Sequence, residues 1–180
     1  ETDNFLPLII KSSPFLTTKT PFSSNNSLII VRGGGDIASG TIAKLYKSGF
    51  SVLILEIDAP SAIRRNVAFS EAVYQGTQTV EDLTCHLAKD LEQATQFLNQ
   101  GKLTILVDSE ASSINILKPL AVVDAILAKK NIGTTKEMAP ITIALGPGFF
   151  ATKDVDAVIE TKRGHNLGRV IYEGSAAPNT

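Results

Sequence analysis

Cysteine, tryptophan and net charge are what this 180-residue chain has least of, and each scarcity excludes something. The single cysteine, Cys85, rules out an internal disulfide framework and a Cys-rich zinc or iron–sulfur site. With no tryptophan and 6% aromatics, the core has to be built from Ile, Val, Leu and Ala. Seventeen Lys and Arg stand against eighteen Asp and Glu, a net charge of −1, so no basic face for nucleic acid is expected. The apolar run Phe5–Ile10 is short and broken by Pro7, far below the roughly 18 to 20 residues that cross a bilayer, so no membrane span is expected. Glu1 and Asp3 stand where a signal peptide would carry positive charge, which suits a cytoplasmic protein.

What is present falls into two parts. Residues 1–27, with Pro7, Pro14 and Pro21 among Ser, Thr and Asn, read as a flexible or surface-hugging arm. From Leu28 the pattern is that of one nucleotide-binding domain over residues 28–180. Leu28–Val31 and Val52–Leu55 are short apolar runs of the kind that form strands buried on both faces. Between them Ala38, Ile42, Leu45 and Tyr46 recur at helical spacing up to Gly49. Val80, Leu83, Leu87, Leu91, Ala94 and Leu98 predict a long helix capped by Thr79 and ended by Gly101. Leu103–Val107, Leu120–Val123, Ile141–Leu145, 157–159 and 170–172 complete the strand candidates. Five to seven strands with two or three helices predict an α/β protein, a Rossmann-like open and mostly parallel sheet with flanking helices.

The chemistry-bearing motif is Gly33-Gly34-Gly35-Asp36-Ile37-Ala38, a G-x-G-x-x-A fingerprint set between a strand and a helix. Gly33 permits the turn off the strand, Gly35 lets a pyrophosphate approach the backbone, and Ala38 permits close helix packing. The helix N-terminus then faces the anion. Glu56 ends the second strand 21 positions after Gly35, where such folds place the acid that holds a ribose hydroxyl. Asp36 fits less simply, because its carboxylate repels a phosphate at the same helix end; capping, ribose contact and cation binding are its alternatives.

Further candidates lie along the chain. Arg64 and Arg65 follow Glu56 closely and suit a 2′-phosphate or another anion, or else form a solvated basic pair. Asp108 and Glu110 end the third main strand and suit Mg²⁺ or proton acceptance, or turn and cap chemistry. Gly146 and Gly148 flank Pro147 in a second glycine loop that would admit a ligand or simply turn the chain. Arg163, His165, Asn166 and Arg169 lie in a basic, glycine-containing stretch suited to a phosphate or carboxylate clamp, or to an exposed turn. Cys85 and His86 are consecutive on the predicted helix, about 100° apart, which argues against a nucleophile–base pair and leaves the thiol partly exposed. No metal-ligand spacing is present.

Four blocks carry a family resemblance: Val31–Asp36; Ala68–Tyr74; Leu145–Phe149; and Glu160-Thr161 with Arg163–Val170 and Glu173–Thr180. Together they resemble the YqeB family of selenium-dependent molybdenum hydroxylase system proteins over roughly residues 28–180. The resemblance implies a cytoplasmic accessory factor with a Rossmann-like region that helps mature molybdenum hydroxylases, with a hydroxylase client or cofactor-maturation proteins as partners. It also implies a β-rich region following the Ala-Pro-Asn-Thr block, and it does not extend to residues 1–27.

Three functions share these features. A nucleotide-binding accessory protein would hold a dinucleotide, NAD(P) or a molybdopterin dinucleotide, on Gly33, Gly34, Gly35, Asp36, Ala38, Glu56, Gly146 and Gly148. Arg64, Arg65, Arg163, His165, Asn166 and Arg169 would then border the second ligand. An NAD(P)-dependent oxidoreductase would also need a proton donor, for which His165 and Tyr74 are the natural candidates. The third is a non-catalytic interaction scaffold, and homo-oligomerisation is open to all three.

Overall fold

The computed structural model describes residues 27–178; the arm expected over residues 1–27 lies outside them except for Ser27. Among the described residues nine strands form one sheet, with β1 (Leu28–Arg32), β2 (Ser51–Glu56), β3 (Thr77–Val80), β4 (Leu83–Ala88), β5 (Leu103–Val107), β6 (Ala121–Asp124), β7 (Ile141–Leu145), β8 (Ala157–Ile159) and β9 (Val170–Ile171). Their order is β3-β4-β5-β2-β1-β6-β7-β8-β9. The seven from β4 through β8 in that order pair in parallel, and the outermost strands β3 and β9 are antiparallel. The expected Rossmann-like open sheet is thus present, with more strands than expected.

Strand alternation explains the two-sided core. In β1, Ile29 and Val31 face one layer and Leu28 and Ile30 the other, and all four are buried. Helix α1 (Asp36–Lys47) packs Ala38 and Ile42 on the first face, joined there by Phe69 and Ala72 from the segment after β2. That segment carries two 3₁₀ turns and the four-residue helix α2 (Ala72–Gln75). Helices α3 (Leu91–Asn99) and α4 (Ser113–Leu117) cover the second face with Ala94, Leu98 and Ile114.

The predicted long helix is corrected. Residues 77–88 form the β3–β4 hairpin, with Val80 opposite Leu83, and only Leu91–Asn99 is helical. The cap is Asp90, whose carboxylate accepts from the Gln93 amide at 2.8 Å, and Thr79 instead meets Thr84 across the hairpin. The spacing of Val80, Leu83 and Leu87 matched a helix, but Leu83, Cys85 and Leu87 also alternate along a strand. Threonine-rich flanks and a β5 edge to pair with decide for the strand. Cys85 is therefore fully buried rather than partly exposed, and burial pushes its thiol pKa well up. His86 points the other way, edge-on to Phe97 at 5.9 Å.

The second glycine loop is explained by packing. Gly148 has φ +107°, and a Cβ there would stand 2.6 Å from the Lys130 backbone; one at Gly146 would stand 2.8 Å from Thr161 Oγ1 and 3.0 Å from Leu127. These glycines let the β6–β7 crossover lie against the end of β7. Gly148→Ala is expected to destabilise the fold by about 1–3 kcal/mol through backbone strain and displacement of Lys130, read as a lower urea midpoint.

Candidate functional site

The chain runs from β1 to β2 on one side and from β6 to β7 on the other, so the carboxyl ends of β1 and β6 diverge. Open α/β sheets bind ligands in the crevice this reversal creates. Here the crevice has a volume of about 460 Å³ and is lined by the glycine loop, the ends of β1 and β2, residues 60–63, Asp108, and residues 125–127.

The glycine loop is fixed from several sides. Gly33 has φ +93° and would place a Cβ 3.0 Å from Ala125 O, so only glycine fits. The Gly34 carbonyl accepts from the Ser70 amide at 2.9 Å, and Ser39 Oγ donates to the Gly35 carbonyl while accepting from the Phe69 amide. Gly35 differs: its φ is −62° and a Cβ there meets nothing within 4 Å. It stands at the N-cap of α1 and, being glycine, brings no side-chain cap; in the first turn the Asp36 carboxylate accepts from the Ile37 amide. Ala38 is fully buried beneath the helix, as close packing requires.

Glu56 reaches back to this loop. Its carboxylate accepts from the Gly34 amide at 2.8 Å and the Ile57 amide at 2.9 Å, which orients it at the crevice lip. Asp36 accepts from the Ile37 amide at 2.8 Å and is ion-paired to Arg64, whose side chain is largely exposed. Arg65 is engaged elsewhere, in a two-point pair with Glu71 at 2.6 and 2.7 Å and 5.5 Å from the Tyr74 ring centroid. Tyr74 donates to the Pro60 carbonyl and so pins the wall of the crevice, without lining it. Asp108 accepts from Ser112 and Ser113, holding the start of α4; hydrogen bonds to those serines outweigh desolvation and lower its pKa. Glu110 is exposed. Among the described residues no group of three or more His, Cys, Asp or Glu is arranged to hold a metal ion.

The remaining candidates lie to the side. Gly146 and Gly148 pack against residues 127–130 and do not line the crevice. Arg163, His165, Asn166 and Arg169 are all exposed on the turn between β8 and β9, on the same carboxyl edge but outside the crevice lining. At the base of that turn Glu160, buried, accepts from the Lys162 amide at 2.7 Å and the Ala177 amide at 2.8 Å. Those bonds hold its pKa below the ordinary value, the Ala177 amide being the largest cause.

Sequence reasoning passed over a buried group at the crevice floor. Arg32 ends β1 opposite Asp124 of β6; Arg32 Nη1 donates to Thr134 Oγ1 at 2.5 Å, and Thr134 donates to Asp124 Oδ2 at 2.6 Å. The signal was available, since an apolar strand run that ends in a charge beside another such run predicts a pair. The crevice is also rimmed by Ile37, Ile57, Ile63 and Ile132, all exposed, which no periodicity singled out.

Fold and crevice together define an open α/β sheet with a glycine loop at its strand-order reversal. The chain is 52% identical over 165 residues to the uncharacterized protein YqeB of Escherichia coli (strain K12), a match covering 92% of this chain. The chain spans about 30% of that protein's length. No family model matches the chain, and no solved structure matches it.

Because Glu160 has a lowered folded pKa, its contribution is full above the ordinary value near 4.5 and is lost as pH falls through the folded value. The protection factor of the Ala177 amide, its intrinsic exchange rate over the observed rate at the same pH, is expected to be high at neutral pH and to fall once the pH drops below the ordinary carboxylate value. Glu160→Gln is expected to remove that dependence on pH.

Proposed function

We propose that the crevice binds a dinucleotide, NAD(P) or a molybdopterin dinucleotide, and that the chain acts as a nucleotide-binding accessory protein in maturation of selenium-dependent molybdenum hydroxylases. The observation that carries the binding half is Gly35: it needs no unusual backbone angle, its missing side chain leaves space, and that space adjoins the N-terminus of α1, whose N-cap residue brings no side chain of its own. Gly33, Gly34, Ala38 and Glu56 support it by shaping and orienting the same loop. The maturation half rests on the resemblance to the YqeB family, which suggests a hydroxylase client or cofactor-maturation protein as partner. An NAD(P)-dependent oxidoreductase is the lesser reading, because neither Tyr74 nor His165 lines the crevice to move a proton.

Calorimetric titration with NAD, NADP, ATP, CTP and molybdopterin cytosine dinucleotide tests this at fixed ionic strength. Binding of one of the dinucleotides is expected, and Gly35→Val is expected to abolish it while circular dichroism and urea midpoint stay near those of the parent. Unchanged affinity in the folded variant would end the fingerprint reading. Preference for the molybdopterin nucleotide favours cofactor maturation, whereas preference for NAD(P) with hydride transfer in a substrate panel favours the oxidoreductase.

A further inference from the structure

We propose that Arg32 is the oxyanion receptor of the crevice, a binding residue that takes a phosphate or carboxylate of the ligand on the β6 side, opposite Glu56. The guanidinium is built in: Arg32 is only 6% exposed, yet it lines the crevice. An arginine carries five N–H donors. Among the described residues its one hydrogen-bond acceptor is Thr134 Oγ1, and the Asp124 carboxylate lies 4.0 Å away. Leaving the other donors buried and unpaired would cost the full desolvation of those groups. The only sealed side-chain polar atom without a partner among the described residues is Ser113 Oγ, so the remaining guanidinium nitrogens open onto accessible space.

The surroundings say what arrives there. Asp36, Glu56 and Asp108, the carboxylates of the crevice lining, each already accept hydrogen bonds from neighbouring groups. Among the described residues Arg32 is the one lining side chain with a positive charge and uncommitted donors. A planar guanidinium with adjacent donors matches the two oxygens of a phosphate or carboxylate. Asp124 and Thr134 fix it in place before the ligand binds, so little side-chain entropy remains to be lost. Since Thr134 and Asp124 belong to β6 and the crossover after it, the receptor serves the part of the ligand that extends past the glycine loop.

This inference deepens the crevice reading but does not require a nucleotide. The test follows the arginine Nε–H resonances of the ¹⁵N-labelled chain during titration with inorganic pyrophosphate and, separately, malonate. Arg32 is expected to shift saturably with at least one, which also tells phosphate from carboxylate, while Arg163 and Arg169 shift weakly and without saturation. Thr134→Val, which frees the guanidinium but keeps its charge, is expected to weaken that binding about tenfold. An Arg32 resonance unmoved by both anions overturns the proposal. If the nucleotides fail in calorimetry while pyrophosphate moves Arg32, the dinucleotide reading falls and the receptor stands; Gly35-dependent nucleotide binding with Arg32 unmoved gives the reverse.

Discussion

The link between Arg32, Thr134 and Asp124 sets the geometry on which the crevice depends. Two adjacent parallel strands end in opposite charges, and burial forces those charges to be satisfied within the protein. Thr134, fully buried, accepts from one and donates to the other, so the sixteen-residue crossover between β6 and β7 is tied down near its middle. That crossover also brings Ala125 and Ile126 against Gly33 and Lys130 against Gly148. Removing one partner of such a pair costs about 3–5 kcal/mol in comparable proteins, chiefly because a charge is left buried alone. The pair is thus a means of fixing position more than a source of net stability.

Two glycine loops on one sheet edge look alike in sequence and differ in physical cause. Gly146 and Gly148 are small because neighbouring atoms occupy the space a side chain would take, and Gly33 belongs with them. Gly35 is small with nothing in that space and an ordinary φ. Conformational need or packing accounts for Gly33, Gly34, Gly146 and Gly148, whereas at Gly35, the N-cap of α1, neither applies. It is this open space beside the start of α1 that the proposed ligand would use.

The central strands, α1, the fingerprint and the placement of Glu56 were legible in the sequence because buried parallel strands and helix periodicity are local patterns. The β3–β4 hairpin was not, because Val80, Leu83 and Leu87 satisfy both a helical and an alternating reading. Pairing with β5, a non-local contact, chooses between them. Arg65 was legible as a cation but not as a partner of Glu71, six residues on, since only the 3₁₀ turn at 69–71 brings the two together. The charge ending β1 and the charge ending β6 were both legible, but their pairing was not, because Arg32 and its partners lie 92 and 102 positions apart and only the strand order joins them.

Charge in the crevice poses the sharpest question for an anionic ligand, and the hydrogen bonds answer it. Three lining carboxylates would repel a pyrophosphate if they were bare. Asp36 is offset by Arg64, Asp108 is spent on the start of α4, and Glu56 is turned to the amides of Gly34 and Ile57. Their fields are further weakened where Arg64 and solvent reach them, since exposed charges interact at high effective dielectric. Arg32, buried where Gly35, Asp36, Glu56 and Asp108 are only half-buried, lies where attraction is screened least. Depth therefore sorts the charges: the three carboxylates are half-buried and Arg32 is buried beneath them. The proposed ligand, with sugar hydroxyls at one end and an oxyanion beyond them, would meet acceptors first and the buried guanidinium second.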